Sequence, residues 1–251
     1  MTDADDAPTV LVFDVNETLL DIDHLEPLFE RAFGEAGAMR EWFAQLVLYS
    51  EAITLAGVHA PFGELGAAVL RMHGEVRGVA IDDGHVAELA ERTGSLPAHP
   101  DVAPALERLA GAGFRLATLT NSAPPASGPD ALERAGLAAF FERRFSVEEV
   151  GRFKPAPEVY RLVADGLGVP IGRVCLVAAH AWDTLGAQGL GARGALLTRP
   201  GNAVLPLAAL ARPEVVAADL GAAADEMIRL WRPISPAAAS APSSRPASPG
   251  P

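Results

Sequence analysis

The 251-residue chain has little lysine, little cysteine and too few positive charges to balance its acids, and each shortage argues against something. Its single cysteine, Cys175, rules out an internal disulfide framework and fits a reducing cytoplasm. Lys and Arg number 20 against 32 Asp and Glu, a net charge of −12, and no basic run or basic amphipathic helix offsets it. Such a surface repels phosphate backbones, so a nucleic-acid partner is not expected. No apolar run approaches the ~20 residues of a membrane span. The acidic start, with Asp3, Asp5 and Asp6, is wrong for a signal peptide, so a cytoplasmic protein without a membrane partner is expected. His24, His59, His73, His85 and His99 show no metal-ligand spacing, and no metal or other cofactor is expected. Of the 20 cationic residues 19 are arginine, which leaves Lys154 as the only lysine and makes it informative.

With apolar residues at 49% and charged residues at 21%, the composition is that of a folded globular protein. Residues 1–8 read as an N-terminal extension. Residues 233–251 are Pro, Ser, Ala and Gly apart from Ile234 and Arg245, and are expected to be a disordered tail. Thr9-Val10-Leu11-Val12-Phe13 is a short β-branched apolar run that ends at Asp14, the pattern of a buried parallel strand. From about Leu25 to Glu91 the period becomes helical: Leu25, Leu28, Phe29 and Phe33 fall at i, i+3, i+4 and i+8. Alternating β and α signals resume after Pro97 and Pro100. Strands are expected over Phe114–Leu119, Arg173–Ala178 and Ala195–Thr198, and helices over Val102–Ala110, Asp130–Ala135 and Thr184–Leu190. The expected architecture is a Rossmann-like, doubly wound parallel α/β sheet formed by residues 9–21 and 96–232. An all-helical insertion of three to five helices occupies residues 22–95, and its apolar surface offers a homodimer contact. Sheets of this kind bind ligands outside the carboxyl ends of their strands, which brings Asp14, Thr120-Asn121 and the segment after Ala178 to one crevice.

Four segments converge there: Asp14-Val15-Asn16-Glu17-Thr18, Leu119-Thr120-Asn121-Ser122, Phe153-Lys154-Pro155 and Ala179-His180-Ala181-Trp182-Asp183. In order and separation they resemble the motifs of the haloacid dehalogenase superfamily over residues 9–225, with a helical cap inserted between the first two. A carboxylate at a strand end can attack an electrophilic carbon or phosphorus and form a covalent intermediate. It must be ionised to do so, and Lys154 is the cation expected to lower its pKa, with Pro155 biasing Lys154 toward an extended backbone. Thr18 and Thr120 are candidates to donate hydroxyls to the anion at the nucleophile, and Asn121 to orient it. Asp183 is expected to hold Lys154 and position water, while also being placed to cap the helix starting at Thr184. Tyr160 either faces the crevice or packs in the core.

Phosphatases of the superfamily carry an acid two residues after the nucleophile. Here that residue is Asn16, which cannot protonate an alkoxide, whereas halide leaves without a proton. Glu17 stands where the family pattern has glycine, and adjacent loop residues point in different directions, so it is not expected to replace the acid. The third and fourth motifs, with Tyr160 and Trp182, resemble the type II (L-2-haloacid) dehalogenases. That resemblance implies hydrolysis of short (S)-2-haloalkanoic acids to 2-hydroxy acids through an ester on Asp14, with no metal. Three more positions depart from the pattern. The family's halide-binding arginine falls at Trp42 or Phe43, so either Arg40 reaches the site or aromatic surface takes the halogen. Ala178 replaces a serine. His180 replaces an asparagine and is either a general base or a hydrogen-bonded strand-end histidine. Two other functions stand beside this one: a magnesium-dependent phosphohydrolase, and a diverged binding protein that kept the fold without catalysis.

Overall fold

The computed structural model describes residues 7–231, so residues 1–6 and 232–251, which include the Pro/Ser/Ala-rich tail, lie outside it. Six parallel strands form one sheet: β1 (Val10–Phe13), β2 (Arg115–Thr120), β3 (Arg143–Ser146), β4 (Val174–Ala178), β5 (Arg193–Leu197) and β6 (Val215–Ala217). Their order is β3-β2-β1-β4-β5-β6. The chain therefore winds outward from β1 to β3 and returns to place β4 on the other side of β1. The crevice at that reversal, above β1 and β4, is where this topology puts a ligand. All of β1 and β4 is buried, as expected of central strands covered on both faces.

Helices cover both sides. In α5 (Val102–Gly111), Val102, Ala105, Leu106 and Leu109 form the buried stripe, and α9 (Leu220–Trp231) packs beside it with Leu220, Ala223, Ala224 and Met227. Helices α7 (Pro157–Leu167) and α8 (Ala181–Gln188) pack against each other, and α8 lies on β4 and β5. A single turn, α6 (Ala131–Arg134), precedes β3 and is capped by Asp130, which accepts the Glu133 amide. Between β1 and α5 the chain contains no strand. It forms α1 (Glu26–Phe33), α2 (Ala38–Leu55), α3 (Phe62–Arg77) and α4 (Asp83–Gly94), within the three to five helices expected. Phe29 and Trp42 meet with ring centroids 5.3 Å apart, and Trp42 Nε1 donates to the Gly66 carbonyl at 3.0 Å, locking α1, α2 and α3 together. This helical layer contacts the carboxyl ends of the strands. Thr54 on α2 accepts the Phe153 amide at 3.1 Å, and Phe43 lies 5.6 Å from the His180 ring.

The two edge strands and the start of α8 correct the sequence reading. β3 begins with two exposed arginines and β6 has only three residues, so neither carries the apolar run that marks a buried strand. Helix α8 begins at Ala181 with His180 as its N-cap, and Asp183 therefore sits inside the first turn and is not a cap. Lys154 and Pro155 form a turn joined by a cis peptide bond. Among the described residues no helix is long and apolar enough to cross a membrane.

Candidate active site

Asp14 is the first residue past β1, and its amide donates to the Val177 carbonyl at 3.0 Å, so the β1–β4 pairing runs up to the site. Lys154 comes from the loop before α7 and is 1% exposed. Its Nζ donates to Asp14 Oδ1 and Asp183 Oδ2, each at 2.7 Å, and to the Leu119 carbonyl at 3.3 Å. Three donors thus meet three acceptors. Thr18 Oγ1 donates to Asp14 Oδ2 at 2.7 Å and accepts the Ala179 amide at 2.8 Å, tying the first motif to the fourth. Asp183 is fully buried, and its second oxygen, Oδ1, takes the Tyr160 hydroxyl at 2.6 Å. Tyr160 therefore serves both alternatives raised for it, because its ring is buried on α7 while its hydroxyl enters the site.

The charges follow from this packing. Burial pushes the Asp14 carboxyl up, but the attraction of Lys154 and the contact with His180 outweigh it and hold Asp14 well below the usual carboxylate range. Lys154 is raised although burial opposes its charge, because two carboxylates face it. Asp183 is raised by burial and by the neighbouring charge of Asp14, which Lys154 only partly offsets. Asp14 is therefore the ionised nucleophile candidate, and Asp183 the anchor behind the lysine.

Other expected residues lie nearby in different roles. Asn121 holds the backbone of Lys154, its Oδ1 accepting the Lys154 amide at 3.1 Å. Thr120 Oγ1 accepts the Ser122 amide at 3.1 Å, so the hydroxyl on Asp14 is that of Thr18 and not that of Thr120. Asn16 Nδ2 donates to Ser122 Oγ at 3.3 Å. Trp182 stacks on the His180 ring, with centroids 5.0 Å apart and an interplanar angle of 16°. Arg40 is no free cation: its guanidinium donates to Glu17 and Asp23.

The residue that sequence reasoning passed over is Glu17. It is 3% exposed, with Oε2 2.7 Å from His180 Nε2 and Oε1 accepting from Arg40 and from Asn202 Nδ2, the latter at 2.8 Å. Its φ of +66° makes it the only non-glycine residue in the left-handed region among those described. A side chain there costs about 1–2 kcal/mol, which neighbouring contacts must offset. An acid at a left-handed loop position where glycine is usual was the available signal. Under Glu17 lies His180, whose Nδ1 is 3.4 Å from Asp14 Oδ2 without the geometry of a hydrogen bond. Burial opposes charging His180, but Asp14 and Glu17 prevail and its pKa is pushed up to about 9. His180 is thus hydrogen-bonded at the strand end, as one of its two alternatives has it, and it carries its charge beside Asp14.

A cavity of about 670 Å³ opens between the helical layer and the strand ends. Val15, Asn16, Thr118 and Thr120 line it next to Asp14 in the chain or sheet, Trp42, Phe43, Leu46, Phe62, Leu89 and Leu96 make most of its wall apolar, and Arg134 and Arg144 add charge to the remainder. Asp14 itself does not line the cavity and is 5% exposed. The donor set does not fit a divalent metal. The Asp14 oxygens face Lys154, Thr18 and His180, two of them cationic, and no three His, Cys, Asp or Glu side chains among the described residues converge to hold an ion.

A family model of haloacid dehalogenase-like hydrolases matches residues 8–191. The chain is 29% identical over 220 residues to (S)-2-haloacid dehalogenase H-109 of Pseudomonas putida, covering 87% of this chain and 97% of that protein. It is 31% identical over 209 residues to (S)-2-haloacid dehalogenase 4A of Burkholderia cepacia, covering 78% of this chain and 86% of that one. The solved L-2-haloacid dehalogenase from Xanthobacter autotrophicus with chloropropionic acid covalently bound matches with a TM-score of 0.78 at 26% identity, over 91% of this chain and 100% of that one. Matched by the family model over residues 8–191 and in sequence over most of its length, the chain belongs to the haloacid dehalogenase-like hydrolases.

Proposed function

We propose that the protein hydrolyses (S)-2-haloalkanoic acids to 2-hydroxy acids through an ester on Asp14, under a cap formed by α1–α4. The observation that carries this reading is the buried bridge from Lys154 to Asp14 and Asp183, at 2.7 Å each, with Asn16 in place of an acid. An ionised, desolvated carboxylate is a competent nucleophile, and a leaving halide needs no proton donor. A carboxylate oxygen of Asp14 displaces halide from C2 with inversion, while Lys154 and Thr18 hold the carboxylate in place. Water then attacks the Asp14 carboxyl carbon, breaks its bond to the ester oxygen and releases the hydroxy acid. Because Arg40 is neutralised by Glu17 and Asp23, the halogen is expected against Phe43 and the neighbouring His180–Trp182 pair.

The test is halide release from a panel of (S)-2-haloacids in heavy-oxygen water with EDTA present. Mass spectrometry after several turnovers is expected to find the label in the peptide containing Asp14. An unlabelled Asp14 after many turnovers would refute the covalent route. Activity that depended on added magnesium, with aryl phosphate hydrolysed in place of haloacid, would support the phosphohydrolase reading instead.

A further inference from the structure

Asp183 has both oxygens engaged, by Lys154 and Tyr160, and is fully buried, which leaves it poorly placed to take a proton from water at Asp14. On the opposite side of Asp14, His180 is held with Nδ1 facing the carboxyl and lacking a hydrogen-bond partner. Its Nε2 is fixed by Glu17, and its ring by Trp182 and Phe43. A base whose far nitrogen is oriented by a carboxylate, with its near nitrogen aimed at the reacting carbonyl, is the arrangement that activates water.

We propose that Glu17 positions His180 as the base for hydrolysis of the Asp14 ester, and that alkylation of Asp14 is what releases His180 to act. The inference rests on the dehalogenase reading. In the resting enzyme the imidazolium lies between the carboxylates of Asp14 and Glu17. Alkylation forms the Asp14 oxygen–C2 bond, breaks C2–halogen and sends the electron pair away with halide. Asp14 loses its charge, and His180 keeps one carboxylate partner instead of two, so its Nδ1 proton leaves to solvent with the halide. Neutral His180, donating Nε2–H to Glu17, then accepts one proton from the attacking water as the water oxygen bonds to the Asp14 carboxyl carbon. Collapse breaks the bond to the ester oxygen. The departing alkoxide takes the second water proton, and ionised Asp14 and protonated His180 are restored. One water is consumed, and one proton and one halide are released per turnover.

The charged groups around His180 are Asp14 past β1, Glu17 in the loop after it, Lys154 beyond Asp14, and Arg40 of α2 on the far oxygen of Glu17. Of these four partners Asp14 alone changes charge during the cycle, and for that reason it is the switch.

The experiment compares wild type, Glu17→Gln and His180→Gln by rapid-quench halide release and intact-protein mass, with (S)-2-chloropropionate and (S)-2-bromopropionate. Both variants are expected to release about one equivalent of halide in a burst and then to turn over at least about 100-fold more slowly, with the ester accumulating on Asp14. In Glu17→Gln the acid limb of the residual hydrolysis rate is expected to move to lower pH, because His180 has lost its remaining anionic partner; a purely structural role would lower the rate without moving that limb. Full turnover without a burst in either variant overturns the proposal, as does equal loss of the burst and of turnover in correctly folded protein. If wild type releases no halide, the dehalogenase reading and this inference fall together. If wild type is active and the variants accumulate no ester, only the inference falls. His180→Gln keeps a hydrogen bond to Glu17 and carries the test should Glu17→Gln not fold.

Discussion

Replacing Lys154 by arginine conserves charge and tests whether the site needs a point cation. Three acceptors converge on the single nitrogen Nζ, at 2.7, 2.7 and 3.3 Å, in a side chain that is 1% exposed. A planar guanidinium spreads its donors over three nitrogens around a carbon, and it cannot place all of them where Nζ stands. With no free volume, the larger head group forces Asp14 or Asp183 aside, an overpacking cost of about 1–3 kcal/mol. Displacing a nucleophile by about 1 Å is worth about 100-fold in rate, and losing its electrostatic partner a further about 10-fold. Lys154→Arg is therefore expected to fold, to unfold at lower urea, and to lose about 10²–10³ in kcat, followed by chloride release. Lys154→Met removes the charge and strands two buried carboxylates, which costs about 3–5 kcal/mol. Adding Asp183→Asn to Lys154→Met removes one stranded charge and is expected to recover about 1–3 kcal/mol, so the double mutant is more stable than the single. Without Lys154 the pKa of Asp14 rises, and any residual activity dies at higher pH on the acid side. Lys154→Arg with near-normal kcat and an unchanged urea midpoint would refute the reasoning.

Two further outcomes are expected. The pKa of His180, raised from 6.5 to about 9, makes its stabilisation complete below about pH 6.5 and lost as pH rises through about 9, with an upper limit on the order of 3 kcal/mol. Urea midpoints of wild type and His180→Gln should therefore converge across that window, and a pH-independent difference rejects the ion pair. The apolar cavity of about 670 Å³ is far larger than a three-carbon acid needs, so 2-bromooctanoate is expected to be turned over with a lower KM than 2-bromopropionate. Ala67→Trp, which places bulk on the cavity wall, should cost the long substrate at least about 10-fold in kcat/KM and spare the short one; equal effects on both reject the cavity as the side-chain pocket.

Legibility in the sequence followed burial. The strands under continuous apolar runs, β1, β2, β4 and β5, are readable because both faces of a central strand must be apolar. β3 and β6 are not, because an edge strand is only partly covered and its side chains can be Arg143 and Arg144. Asp14, Lys154 and Asp183 were identifiable from motif order, since Asp14 follows β1, Lys154 precedes α7 and Asp183 lies in the first turn of α8. Arg40 shows the opposite case. Its sequence neighbourhood suggested a halide ligand, but two acids 23 and 17 residues away in the chain claim its guanidinium. No local pattern records such a pairing, because it depends on how α2 meets the loop after β1.

What the sequence determined by itself was the parallel α/β core, the helical insertion, and the carboxylate and lone lysine expected to face each other at the strand ends. Apolar periodicity and motif spacing are properties of the linear chain, and the burial they dictate leaves little choice of fold. The tertiary structure alone decided how the other buried charges pair: it closed Glu17 onto His180 across 163 residues, and it turned Arg40 onto Glu17 and Asp23. Both outcomes have one physical cause: a charge buried in protein must find a partner within hydrogen-bond reach. Which partner it finds is settled by packing in three dimensions.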